Sequence, residues 1–390
     1  MDKSSSVLKD KNLHIIFAVT LMAVLGVASI APAFPSIRTN LKIDDGQIGW
    51  LITYFTFPGI ILSPFMGILA DRLGRKNVLV PSLILFAIAG GACTFTKNFQ
   101  VLLLLRFLQG IGAASLGSVN VTIVGDLYNG KRRIEAMGYN ASILSIGTAA
   151  YPALGGLLAH WGWQFPFLLP LLALPVAFFV ILKLKNPEPD EHIELRRYLF
   201  NTWKNINKPD VWALFTISVL IFVVLYGAHI TYFPMMMVDR FTKNTVVIGM
   251  FMSGFSVFTA ITSSQMKKIN SVITVRTQLM IGFALYFITM LILANTYSWI
   301  LLLVPVITFG IGHGIVIPAV QNLLVSYAPM KERAGFMSIN TMVLRIGQTL
   351  GPLIMGLLYL AGGISLAFLG GAIAALFMFL IILFIKSSKF

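Results

Sequence analysis

Residues 67–79 read GILADRLGRKNVL, with one acid and three bases crowded into positions 71 to 76 between two long apolar runs. Charge at the centre of a bilayer is unfavourable by about 3 kcal/mol per group, so such a cluster belongs where the chain turns at a membrane surface. The flanking runs then read as two membrane-crossing helices joined by a tight turn. The rest of the chain agrees: it is 57% hydrophobic and only 11% charged, against about 25% charged for a soluble domain. A crossing helix needs about 20 mainly apolar residues, and about twelve such runs begin near residues 14, 46, 77, 99, 135, 163, 210, 245, 272, 298, 334 and 363. The expectation is an all-α membrane protein with little chain left over for anything else.

The net charge of +15 follows the membrane rather than a nucleic acid partner. Most of the 29 Lys and Arg fall in loops on the side that holds both termini. On the opposite side lie only Arg38, Lys42, Lys97, Arg240 and Lys243, and inside spans only Arg106 and Arg345. The positive-inside rule then places both ends in the cytoplasm of a multi-pass cell-membrane protein. The single cysteine, Cys93, excludes an internal disulfide, and no metal-binding cluster is visible.

The longest connection, residues 185–209, divides the chain into residues 1–184 and 210–390, each with six spans. Within it Leu195, Tyr198, Leu199, Trp203 and Ile206 recur at helical spacing, which predicts an amphipathic helix on the membrane surface. The halves also match at an offset of 200. Gly110-Ile111-Gly112 recurs as Gly310-Ile311-Gly312, and Asn140, Gly147, Pro152 and Gly156 recur as Asn340, Gly347, Pro352 and Gly356. Parallel repeats of six spans about an axis along the membrane normal are a transporter architecture, with the substrate site between the halves.

At this point the chain resembles the major facilitator superfamily, whose loop between spans 2 and 3 carries Gly-x-Leu-Ala-Asp-Arg-x-Gly-Arg-Lys; here it reads Gly67-Ile68-Leu69-Ala70-Asp71-Arg72-Leu73-Gly74-Arg75-Lys76. The resemblance implies the major facilitator fold, two pseudo-symmetric six-helix bundles. It implies that Asp71 caps the start of span 11 from the other half and that Arg75 pairs with an acid at the end of span 4, where Asp126 stands. Gly67, Asp71, Arg72, Gly74, Arg75 and Asp126 would together form a gating latch, since an acid at a helix start and a dry Arg-carboxylate pair are both favourable. In span 4, Arg106, Gln109, Ala113, Gly117 and Asn120 share a face, a polar and small stripe matching the family's span-4 pattern. In span 5, Gly138, Gly147, Pro152, Gly155 and Gly156 resemble the antiporter motif of superfamily exporters, except that Tyr151 stands where the motif has Gly before Pro. Span 11 carries Gly351-Pro352 in the same register.

All 14 acids lie in loops, tails or span ends, so the mid-span carboxylate usual in proton-coupled drug antiporters is missing. The ionisable groups inside spans are Arg106, His229, His313 and Arg345, and histidine can change charge near neutral pH. Tyr226 and Phe233 flank His229 on a helical face, and Gln348 shares a face with Arg345. These residues, with Gln109 and Asn120, are the candidates for substrate and proton. The expected function is proton-coupled export of small amphipathic molecules by alternating access of a monomer in the lipid bilayer. The alternatives are a proton-coupled importer or uniporter of a small metabolite, anionic or not, and, from another class, a channel-like conductance. No catalytic constellation, cofactor motif or Gly-x-x-x-x-Gly-Lys-Ser/Thr stretch occurs, which argues against an enzyme or an ATP-driven pump.

Overall fold

The structure is a computed structural model that describes residues 7–184, 206–328 and 333–384, without the side chains of Ile68, Asp71 and residues 333–335. The surface helix expected within 185–209 therefore lies almost wholly outside the described residues. Among those described, eleven helices are long and apolar enough to cross a membrane. They are span 1 (Lys11–Leu41), span 2 (Trp50–Leu73), span 3 (Arg75–Ala92), span 4 (Phe99–Leu127), span 5 (Gly130–Trp161), span 6 (Phe165–Lys183), span 7 (Pro209–Arg240), span 8 (Thr245–Ser264), span 9 (Val275–Asn295) and span 10 (Trp299–Tyr327). The eleventh, Arg333–Phe384, is two crossings in one: non-helical dihedrals at Gly362 and Gly363 break it into spans 11 and 12. Gly363 has φ +71°, a conformation open to glycine at little cost, so the chain reverses there without a loop.

Local chemistry sets the boundaries. Asp10, Asn98, Asn244, Thr274 and Ser298 each cap the helix that follows by accepting a backbone N–H, which satisfies a donor the first turn cannot. Gly74, at φ +89°, makes the sharp turn between spans 2 and 3, where the sequence places its charged knot. Proline disturbs the regularity of two spans. Span 1 passes through a short 3-10 turn at Ala31–Ala33, and span 6 opens as 3-10 helix over Phe165–Leu172, which contains Pro166 and Pro170.

The offset of 200 survives at the level of atoms. Gly110 brings span 4 against the carbonyl of Phe55 in span 2, and Gly310 brings span 10 against the carbonyl of Phe255 in span 8. Gly112 packs on Ser82 and Phe86 of span 3, as Gly312 packs on Gly282 and Tyr286 of span 9. The halves meet through the same rule: Gly49 lies on the carbonyl of Pro352, and Gly249 on that of Pro152. The twelve crossings among the described residues put the first and last of these, Val7 and Phe384, on one face, called here the terminal face. The described cross-half contacts run from the other, far face to Gly59 and Arg345 near mid-span, while a Cβ on Gly67 or Gly138, closer to the terminal face, would meet nothing.

Candidate functional site

Three groups of polar side chains lie at membrane depth. The first is inside the N-terminal half. Arg106 is fully buried: its Nε donates to the Leu51 carbonyl at 3.1 Å, one terminal nitrogen donates to Gln109 Oε1 at 2.6 Å, and the guanidinium lies 4.2 Å from the Phe55 ring centre. Its other terminal nitrogen and Gln109 Nε2 have no hydrogen-bond partner. Asn120 donates to the Ile16 carbonyl at 3.2 Å and to Thr20 Oγ1 at 2.5 Å, and Thr20 in turn donates to Asn140 at 2.5 Å. The span-4 stripe thus turns into its own half, against spans 1, 2 and 5, and within it only Gly117 is exposed.

The second group stands where the halves meet. Arg345 donates to Gln348 Oε1 at 3.0 Å, as the like-spaced Arg106 does to Gln109. Its chain lies over Gly59 of the other half, where a Cβ would come within 3.1 Å of Arg345 Cδ, and Tyr226 is the titratable group facing it. Among the described residues neither arginine has an ion-pair partner, and Asp126 is bonded to Arg75. Beside Arg345, Thr53 Oγ1 donates to the Thr349 carbonyl at 3.0 Å, and the hydroxyls of Thr56 and Thr349 lie 2.9 Å apart. Sequence reasoning passed over these threonines; their spacing of three in span 2 was the available signal.

The third group is an aromatic cage in the C-terminal half. His229 is 4% exposed, with ring centres of Phe255, Phe309 and Phe233 at 4.1, 4.7 and 5.7 Å and no partner for Nδ1. The Phe309 ring stacks on His229 and lies near-parallel to His313, 5.6 Å away, so both imidazoles neighbour one phenyl group. His313 Nδ1 shares a hydrogen bond with the Tyr286 hydroxyl, and Tyr286 also stacks on Phe309 at 5.0 Å. The sequence reading missed Tyr286, Phe255 and Phe309, although Phe309 and His313 are four apart on one helix.

One local expectation needs correction. An α-helical wheel puts Tyr226 and His229 on the same face, but residues Val224–Tyr232 form a π-helix, in which Thr231 Oγ1 also bonds the carbonyl of Tyr226. The wider turn rotates His229 into the C-terminal cage while Tyr226 stays half-exposed opposite Arg345. Phe233, beyond the π segment, still touches His229.

Near the terminal face, Arg75 Nε donates to Asp126 Oδ2 at 2.9 Å, tying spans 3 and 4 within one half. Arg75 is buried, Arg72 is exposed, and the Asp71 side chain lies outside the described residues, as do those at the start of span 11 that it was expected to cap. Of the glycines in span 5, Gly155 packs on the Ser29 carbonyl, Gly156 crosses to the Thr245 carbonyl, and Gly147 touches Leu21, while Gly351 packs on Val223 and Gly227.

Two pseudo-symmetric six-helix halves around a central polar site define a multi-span membrane transporter. The chain belongs to the Major Facilitator Superfamily, whose family profile matches residues 16–262 and 230–389. It is 26% identical over 358 residues to multidrug resistance protein 1 of Bacillus subtilis strain 168, with 90% of each chain covered. It is 25% identical over 377 residues to the quinolone resistance protein NorA of Staphylococcus aureus strain COL, with 92% of this chain and 95% of that one covered. Among solved structures it resembles a bacterial homologue of the human lysosomal transporter Spinster in an inward-facing conformation, with TM-score 0.74, 17% identity and 96% and 95% coverage. It is therefore a multi-pass membrane transporter of small molecules and not an enzyme.

Proposed function

We propose that this transporter exports small amphipathic molecules in exchange for protons, acting as a monomer in the bilayer with its basic terminal face in the cytoplasm. The observation that carries the proposal is the pair of imidazoles about Phe309. With no carboxylate in mid-span, His229 and His313 are the mid-span groups whose ordinary titration range lies closest to neutral pH. In this reading Tyr226, Arg345 and Gln348 meet the cargo. One proton moving down a 100 mV potential supplies about 2.3 kcal/mol, enough to bias a cycle of two rocking halves. Both relatives named above carry resistance in their names, which favours export over import. In this reading Asp71, Arg72, Arg75 and Asp126 bias the closure of the terminal face.

Transport into inverted vesicles tests it. Acidifying the vesicle interior should drive dye accumulation, and an uncoupler should abolish it. In His229→Gln and His313→Gln, gradient-driven accumulation should fall at least tenfold while dye counterflow continues. Undiminished coupling in both variants would remove the imidazoles from the mechanism.

A further inference from the structure

The pseudo-twofold places two interfaces between the halves at the far face, spans 5 and 8 on one side and spans 11 and 2 on the other. Their packing corresponds closely: Gly156 lies on the Thr245 carbonyl and Gly249 on the Pro152 carbonyl, while Gly356 lies on the Gly46 carbonyl, one residue beyond the position shifted by 200, and Gly49 on the Pro352 carbonyl. Their polar closures differ. Between spans 5 and 8 the bonds are neutral: Thr245 Oγ1 donates to the Gly156 carbonyl at 2.8 Å, and the Ala153 N–H donates to Ser253 Oγ at 3.0 Å. Position 45, the counterpart of Thr245, is an aspartate.

Asp45 gathers three donors. Arg38 reaches Oδ1 at 2.5 Å, the Tyr359 hydroxyl donates to Oδ2 at 2.9 Å, and the Tyr232 hydroxyl donates to the Asp45 carbonyl at 3.3 Å. The two tyrosine rings stack at 5.2 Å. Arg38 belongs to the same half as Asp45, whereas Tyr232 and Tyr359 belong to the other, so only the tyrosine bonds must break for the halves to part. Asp239 also faces Arg38 and Asp45. Exposure separates the two closures: the Asp45 and Arg38 side chains are 31% and 23% exposed, against 5% for Thr245. A carboxylate at the water's edge can exchange a tyrosine hydroxyl for water, and Arg38 keeps its charge compensated while it does so.

We propose that Asp45 is the releasable latch of the far-face gate: it holds span 11 through Tyr359 and span 7 through Tyr232, and Arg38 positions it. The interface of spans 5 and 8 then acts as the neutral pivot. The latch belongs to the empty protein and is independent of cargo and coupling ion.

Electron paramagnetic resonance distances in lipid nanodiscs test it, in a Cys93→Ala background. One pair of spin labels goes on the far face, at residues 40 and 243, and another on the terminal face, at residues 131 and 267. Tyr359→Phe and Asp45→Ala should each raise the ratio of far-open to far-closed protein about tenfold, as expected for losing a charge-assisted hydrogen bond, while the terminal pair shortens. Tyr359→Phe should add nothing once Asp45 is Ala, and Tyr54→Phe, on an exposed tyrosine of span 2, should change nothing. If Asp45→Ala does not fold, Asp45→Thr, which installs the residue of the symmetric position, takes its place. Unchanged ratios, shifts that add in the double variant, or an equal shift in Tyr54→Phe would overturn the latch.

Discussion

Arg106 and Arg345 make the same local bond, to a glutamine three residues on, yet their settings give them different work. Arg106 bonds Leu51 and Gln109 and lies on the Phe55 face inside one half, the setting of a brace. Arg345 lies between halves with its charge unpaired by any described carboxylate, which favours a cargo with a negative or electron-rich end. Replacing Arg345 with Gln should weaken an anionic amphipath about tenfold and leave a neutral one nearly unchanged, as read by fluorescence titration. Equal affinities for both ligands before and after would make Arg345 structural. The existence of both arginines was plain in the sequence. Which of them could reach cargo was not, because that depends on the spans packed against them.

At the scale of the helix, glycine does the packing and the π-helix does the aiming. A Cβ on Gly110 would collide with the Phe55 carbonyl, and backbone cannot yield as a flexible side chain can. Gly110→Ala and Gly310→Ala should therefore each destabilise the protein by about 1–3 kcal/mol. Gly138→Ala faces open space and should gain up to about 1 kcal/mol from helix propensity. Thermal unfolding in detergent separates the three; a loss at Gly138 as large as that at Gly110 would refute the packing argument. The glycines were legible because their spacing repeats. The π turn at Val224–Tyr232 was not, since one wider turn leaves no mark in apolar periodicity but redirects every side chain beyond it.

Across the whole molecule the two halves share their packing and differ in their chemistry. Each half is pinned on the terminal face by a tyrosine that donates to the aspartate opening its first helix, Tyr128 to Asp10 and Tyr327 to Asp210, both at 2.9 Å. These bonds lie within a half, so they should stiffen each bundle without choosing between conformations. Tyr128→Phe and Tyr327→Phe should each lower the melting temperature while leaving the spin-label ratios described above untouched. A change in those ratios would mean that the halves are not rigid bodies. Burial pushes the Asp10 carboxyl up, but the Asn12 N–H and the Tyr128 hydroxyl outweigh it and hold it below its ordinary 3.8. Its contribution is thus complete above that pH and disappears as acid passes the lowered value.

The groups proposed above as functional stand where the repeat breaks: at positions shifted by 200, His229 corresponds to Ser29, His313 to Ala113, Arg345 to Ser145 and Asp45 to Thr245. Apolar run length, loop charge and the offset of 200 were sufficient for twelve crossings and two halves, because crossing a bilayer and packing helices closely constrain residue type directly, and the resemblance to the family came from the motif at residues 67–76. Contacts between distant segments were a matter for the tertiary structure alone. It put Phe309 beside both imidazoles, turned Arg106 inward and brought Tyr359 to Asp45, since a hydrogen bond across 314 residues depends on how two bundles are seated and leaves no periodic trace along the chain.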